Sequence, residues 1–139
     1  VSEAAALFSL YEALWRGEDP WAAQPIAFAP YDRYAVYTEK QAALSHWRVR
    51  LSETALLGAQ FTPLAAWAEE PAKIACGALR LRTRDRNGQM QTRDLRLVLA
   101  GLRDEAGGWT LVHAAEAMEA ALIAMIAAYR AEAESPPYG

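Results

Sequence analysis

AKIACGALRLRTRDRNGQMQTRDLRLVLAGL, residues 72 to 102, holds two apolar-rich runs separated by Asn87-Gly88. Both turn residues tolerate the positive φ of a type I′ turn, so the pattern predicts a β-hairpin. Asp104 to Gly108, DEAGG, supplies a second turn, and Trp109 to Glu116, WTLVHAAE, a further strand. The whole reads as one antiparallel meander with strands long enough that the sheet must curl. A curled sheet is concave on one side, and helices laid in the concavity leave a pocket, so the expected class is α+β. A two-residue turn would pair Arg80 with Leu95 and Leu81 with Asp94. It gives one face to Ile74, Cys76, Ala78, Leu95, Leu97 and Leu99, and the other to Ala75, Gly77, Leu79, Leu81, Asp94, Arg96 and Val98. Both faces are apolar over much of their length. Helices cover one, and a second copy of the chain is the economical cover for the other, so a homodimer is expected.

Upstream, Leu7, Leu10, Tyr11 and Leu14 fall on one face of a helix from Ser2 to Arg16, with Gly17 as its stop. Asp19-Pro20 suits the start of a short second helix through Gln24. Pro25 and Pro30 keep the next connection extended, and Tyr34 to Tyr37 reads as a brief strand. Thr38 with Gln41 fits a capping box, which starts a helix at Glu39 that runs to about Leu51 with Leu44, Trp47 and Leu51 on its stripe. Leu64 to Ala68, bracketed by Pro63 and Pro71, is favoured as a strand. Downstream, Ala115 to Glu134 reads as a helix with Met118, Leu122, Met125, Ile126 and Tyr129 on one stripe, followed by a Ser-Pro-Pro-Tyr-Gly tail.

The chain has 139 residues, enough for one domain with a single core. Its formal net charge of −3 argues against a general nucleic-acid partner, because phosphate binding needs a clustered positive field. No uncharged apolar run approaches the ~20 residues of a membrane span, and the start at Val1 lacks a signal-peptide pattern. A protein of the cytoplasm that does not enter membranes is expected, although a cleaved leader would leave no trace in the sequence. The single cysteine, Cys76, rules out an internal disulfide and a cysteine metal cluster, and no His-Glu-x-x-His motif is present. Neither metal nor cofactor is expected.

Trp15 to Asp19, Phe28 to Tyr37, Ala42 to Trp47 and above all Gly107 to His113 resemble the nuclear transport factor 2-like superfamily. These cone-shaped α+β proteins include ketosteroid isomerases and polyketide cyclases of the aldol type. The resemblance implies a cone domain over residues 1 to 117, to which 118 to 139 add a helix and tail. It implies a small-molecule binding protein or an enzyme of the cyclase or isomerase kind, acting on an apolar or aromatic ligand. A non-catalytic assembly module on the same fold is the alternative. The ketosteroid isomerase site is not reproduced: its tyrosine, base and oxyanion-donor positions fall on Leu10, Thr38 and Val98, with Tyr11 one residue beyond the first. Limonene epoxide hydrolases use an Arg between two Asp, and Asp94 with Arg96 resembles part of that set; a structural ion pair is the other reading. His113 in the closing strand, with Trp109 and Leu111 on its side, is the best candidate for a general acid/base, or else a pocket-wall histidine. Tyr11, Trp15, Tyr34, Trp47 and Trp109 belong to an aromatic set that lines a cone cavity or simply fills a core.

Overall fold

The computed structural model describes residues 3–118 and 128–133. Helix α1 (Glu3–Trp15) and helix α2 (Lys40–Glu53) pack with five strands: β1 (Ala27–Ala29), β2 (Thr54–Glu69), β3 (Ala72–Asp85), β4 (Met90–Arg103) and β5 (Trp109–Met118). They form one 5-stranded sheet in the order β1-β5-β4-β3-β2, antiparallel except where β1 runs parallel to β5. This is the expected α+β cone: a curved, unclosed sheet with the helices on its inner face. No described helix is long and apolar enough to cross a membrane.

Helix α1 buries Ala4, Leu7, Tyr11, Leu14 and Trp15, one stripe at helical spacing. It closes with paired bonds from Glu18 N–H to the Ala13 carbonyl (3.0 Å) and from Gly17 N–H to that of Leu14 (3.1 Å), which satisfy its last carbonyls. No second helix follows. Pro20 and Ala22 instead hydrogen-bond both backbone sides of Leu111, so this segment runs along β5. The first strand is Ala27–Ala29, not Tyr34 to Tyr37; of the latter, Tyr37 makes a bridge to Phe28. The capping box also fails to form. The Thr38 carbonyl is engaged with Ile26 N–H in that extended pairing, and Glu39 takes the N-cap position without a side-chain cap.

The β3–β4 hairpin turns through three residues, Arg86, Asn87 and Gly88, of which only Gly88 has positive φ (81°). The Asp85 carboxylate fixes this turn by accepting from the backbone N–H of Asn87 and of Gln89, both at 2.9 Å. One extra loop residue changes the parity of every partner. Arg80 therefore faces Asp94 and Leu79 faces Leu95, correcting the expected register. Ala75, Leu79 and Leu81 then share the inner face with Leu95, Leu97 and Leu99 in the buried core, while Cys76, Arg80, Asp94, Arg96 and Val98 look outward. β2 confirms the strand expected near Leu64 and exceeds it. At Gly77 a Cβ would lie 2.3 Å from the Thr62 carbonyl oxygen, beside the register shift at Pro63/Ala65 where β2 bends over β3.

The closing strand continues through Met118, so Ala115 to Met118 are strand and not the start of a helix. Residues 128–133 are helical, with Tyr129 exposed. Leu122, Met125 and Ile126 of the expected stripe lie outside the described residues.

Candidate functional site

Strand β5 carries a bulge: Ala100 pairs with His113 and Gly101 with Leu111, which leaves Val112 as the extra residue. The alternation inverts there. Leu111 is buried in the core, whereas His113 shares the outer face with Ala100 although it lies only two residues on. Beyond the bulge the inward positions are Ala114 and Glu116. Glu116 is thus delivered to the inner face, opposite Leu97 and beneath α1 and α2.

There it meets a buried charge cluster. Arg50 Nη1 donates to Glu116 Oε2 at 2.9 Å and Nη2 to Oε1 at 2.8 Å, a fork-to-fork pair with side-chain exposures of 1% and 0%. The Tyr11 hydroxyl donates to Oε2, and Tyr31 N–H donates to Oε1 at 3.3 Å. Arg50 also reaches Asp32, from Nε at 3.1 Å and Nη2 at 2.9 Å. Asp32 holds His46 Nε2 at 2.9 Å, and the other ring nitrogen faces the Tyr37 hydroxyl at 3.3 Å. Aromatic faces complete the enclosure: the Arg50 guanidinium lies 4.3 Å from the Trp47 ring centre, 4.6 Å from Tyr31 and 5.4 Å from Trp15.

The electrostatics follow from this arrangement. Burial, reinforced by the Glu116 charge, pushes the Tyr11 phenol well above its ordinary value, so it remains a donor. Burial alone would raise Asp32, but hydrogen bonds from His46 and Arg50 outweigh it and hold that carboxyl well below the usual range. Desolvation works against the Arg50 charge and is overcome by Glu116 and Asp32. Glu116 accepts four hydrogen bonds, which fill about all the lone-pair directions of a carboxylate.

A cleft of about 680 Å³ opens over this cluster, between the loop at residues 30–36 and the end of β5. Asp32, Arg33 and Glu116 supply its polar lining, and Tyr31, Tyr34, Val36 and Met118 most of the rest. The expected site residues distribute unevenly around it. Tyr11 bonds to Glu116, Trp15 and Trp47 stand behind Arg50, and Tyr34 is on the cleft wall. His113, Asp94 and Arg96 are on the outer face, and His113 and Asp94 are separated by roughly 20 Å along the strands at ~3.3 Å per residue. Asp94 pairs with Arg80 at 2.8 Å. Trp109 lies at the far end of β5, its ring 4.3 Å from Lys73 Nζ and 4.6 Å from the Arg103 guanidinium. His113, Asp94 and Tyr11 therefore do not converge. Among the described residues no group of three or more His, Cys, Asp and Glu could hold a metal ion.

Arg50, Glu116, Asp32 and Tyr31 escape a reading of the sequence for motifs, yet two of them leave a trace in it. Arg50 falls three residues after Trp47 and seven after Ala43, on the buried stripe of α2. Glu116 is the one charge in an otherwise apolar run, at an inward position of the closing strand.

No family model and no curated protein matches the chain. Solved structures do. A ketosteroid isomerase-like protein from Erwinia carotovora atroseptica superposes with a TM-score of 0.69 at 8% identity, covering 84% of this chain and 92% of that one. A nuclear transport factor 2-like protein of unknown function in nutrient uptake, from Rhodospirillum rubrum, gives 0.66 at 21% identity, with coverages of 85% and 98%. A nuclear transport factor 2-like superfamily protein from Salmonella enterica gives 0.63 at 18%, with coverages of 84% and 85%. The bent sheet, the two helices in its concavity and these superpositions agree: the chain has the nuclear transport factor 2-like cone fold.

Proposed function

We propose that the protein binds a small apolar or aromatic molecule in the cleft above Glu116. One observation carries this reading: a buried charge cluster forms the floor of an open cleft whose walls are largely aromatic and aliphatic. A buried ion pair is seldom the cheapest way to fill a core, so its presence at the base of a cavity favours use of that cavity. Binding accounts for the geometry better than proton abstraction does. Every lone-pair direction of Glu116 is occupied, and Tyr11 is held as a donor already directed at Glu116. Of the residues expected to do chemistry, Tyr11 belongs to this cluster, whereas any role for His113 or Asp94 would belong to the outer face. Titration of isotope-labelled protein with a panel of apolar aromatics should give saturable shifts at residues 30–36 and 116–118, weakened by Tyr34→Ala. Shifts scattered over the outer face, or no saturable response from any probe, would defeat the reading.

A second reading, assembly through the outer sheet face, rests on a separate observation. Trp67, Ile74, Ala100, His113 and Ala27 form one row across the sheet, and Ala65, Cys76, Val98, Ala115 and Ala29 the next. Trp67 is 52% exposed and the neighbouring Leu64 65%. Rows of this composition suit a homodimer whose sheets face each other. Sedimentation should show a dimer at micromolar concentration; a monomer there removes this reading and leaves the first untouched.

A further inference from the structure

We infer that the cleft contains an anion subsite at Arg93 and that its ligand is an apolar or aromatic carboxylic acid; the inference rests on the cleft-binding reading and supplies its ligand class. Arg93 is on the inner face of β4, opposite Leu81 and two residues from Leu95, which pairs with Met118 on the cleft wall. Its guanidinium lies 5.3 Å from the ring centre of Tyr31, the cleft residue that also carries Arg50 at 4.6 Å. The two cations are provided for very differently. Arg50 holds both Asp32 and Glu116. Arg93 touches the Gln91 side-chain oxygen, has no carboxylate partner among the described residues, and its Nε is buried without any hydrogen-bond partner.

Leaving a buried charged donor unpaired is costly, and among the described residues Arg93 Nε is the one atom of a charged side chain left so. Among the described residues beside the cleft, the carboxylates of Asp32 and Glu116 are both engaged by Arg50, and Arg93, against the Tyr31 ring, has neither. Among the described residues Arg93 is thus left without a carboxylate, which a monoanion would supply. The planar fork of a guanidinium matches a carboxylate, and Tyr34, Val36 and Met118 offer apolar wall to the remainder of such a ligand. A cationic ligand would have to compete with Arg50 for both acids.

Calorimetric titration with naphthylacetate and naphthylethanol, which share one aromatic body, tests this. The acid is expected to bind the intact protein about 10- to 100-fold more tightly than the alcohol. Arg93→Met should bring that ratio to about one while leaving the alcohol unchanged, and Arg93→Lys, which keeps the charge without the fork, should retain part of it. Circular dichroism and urea melts of both variants guard against a folding defect, and the acid-to-alcohol ratio in the unaltered protein stands without them. Equal affinities there, or a preference that survives in folded Arg93→Met, overturn the anion subsite and leave the cleft as a binding site. If neither probe binds, the cleft reading fails and the subsite with it.

Discussion

Arg50 connects the elements of the site, because one guanidinium joins α2 to the loop at Asp32 and to β5 at Glu116. Its removal strands a fully buried carboxylate. Arg50→Met should therefore cost about 3–5 kcal/mol in a urea melt, whereas Arg50→Met combined with Glu116→Leu and Tyr11→Phe should cost less than the single change. A triple variant weaker than the single one would show that the cluster stabilises the fold beyond satisfying its own charges. His113 offers a second test at this scale. Burial lowers its pKa, so below the ordinary 6.5 the unfolded chain takes up a proton more readily than the folded one. Stability should accordingly fall as pH drops from about 7 through that value, and His113→Gln should flatten this part of the profile; an unchanged profile contradicts the placement.

Among the elements, the β3–β4 hairpin separates two turn geometries experimentally. A type I′ turn needs positive φ at both Asn87 and Gly88; the observed turn needs it at Gly88 alone. Gly88→Ala should thus cost about 1–2 kcal/mol and Asn87→Ala distinctly less. Comparable losses at both positions would favour the shorter turn. The same hairpin marks the limit of what the chain discloses. Asn-Gly announced the hairpin, but the Asp85 carboxylate bonding across the loop chose its length, and length set which side chains face inward. Alternation of apolar residues was readable in β3, β4 and β5; parity was not, because a three-residue loop and a bulge each shift it by one. The site suffered most from this. His113 could be seen as a closing-strand histidine, while its face depended on Val112, and Glu116, the one charge of its run, could be matched with Arg50 only once that parity and the placement of α2 over it were known.

The described residues present a buried core, a cleft beside the loop at residues 30–36 and a broad outer sheet face. If the outer face meets a second copy, Trp67→Lys with Val98→Lys should yield monomers that bind the cleft's ligand unchanged, measured by sedimentation and calorimetry. His113 sits within the first row of that face, between Ala100 and Ala27. Dimer affinity should then weaken in acid, since protonation charges a side chain that association would bury; affinity constant from about pH 8 to pH 5 would place His113 outside the contact.

The bulge at Val112 also bears on how such a chain changes over generations. Substitution can alter what a closing-strand residue is, but never which side of the sheet it occupies. Removing Val112, the extra residue, would heal the bulge and leave Leu111 inside and His113 outside, whereas regular pairing with every residue kept would force the segment before it or the segment after it to exchange sides as a block. The closing strand of this molecule is therefore read in a frame, and a single-codon insertion or deletion between His113 and Glu116 that no bulge absorbs is the mutational event able to move the carboxylate off the inner face while the histidine keeps the outer one.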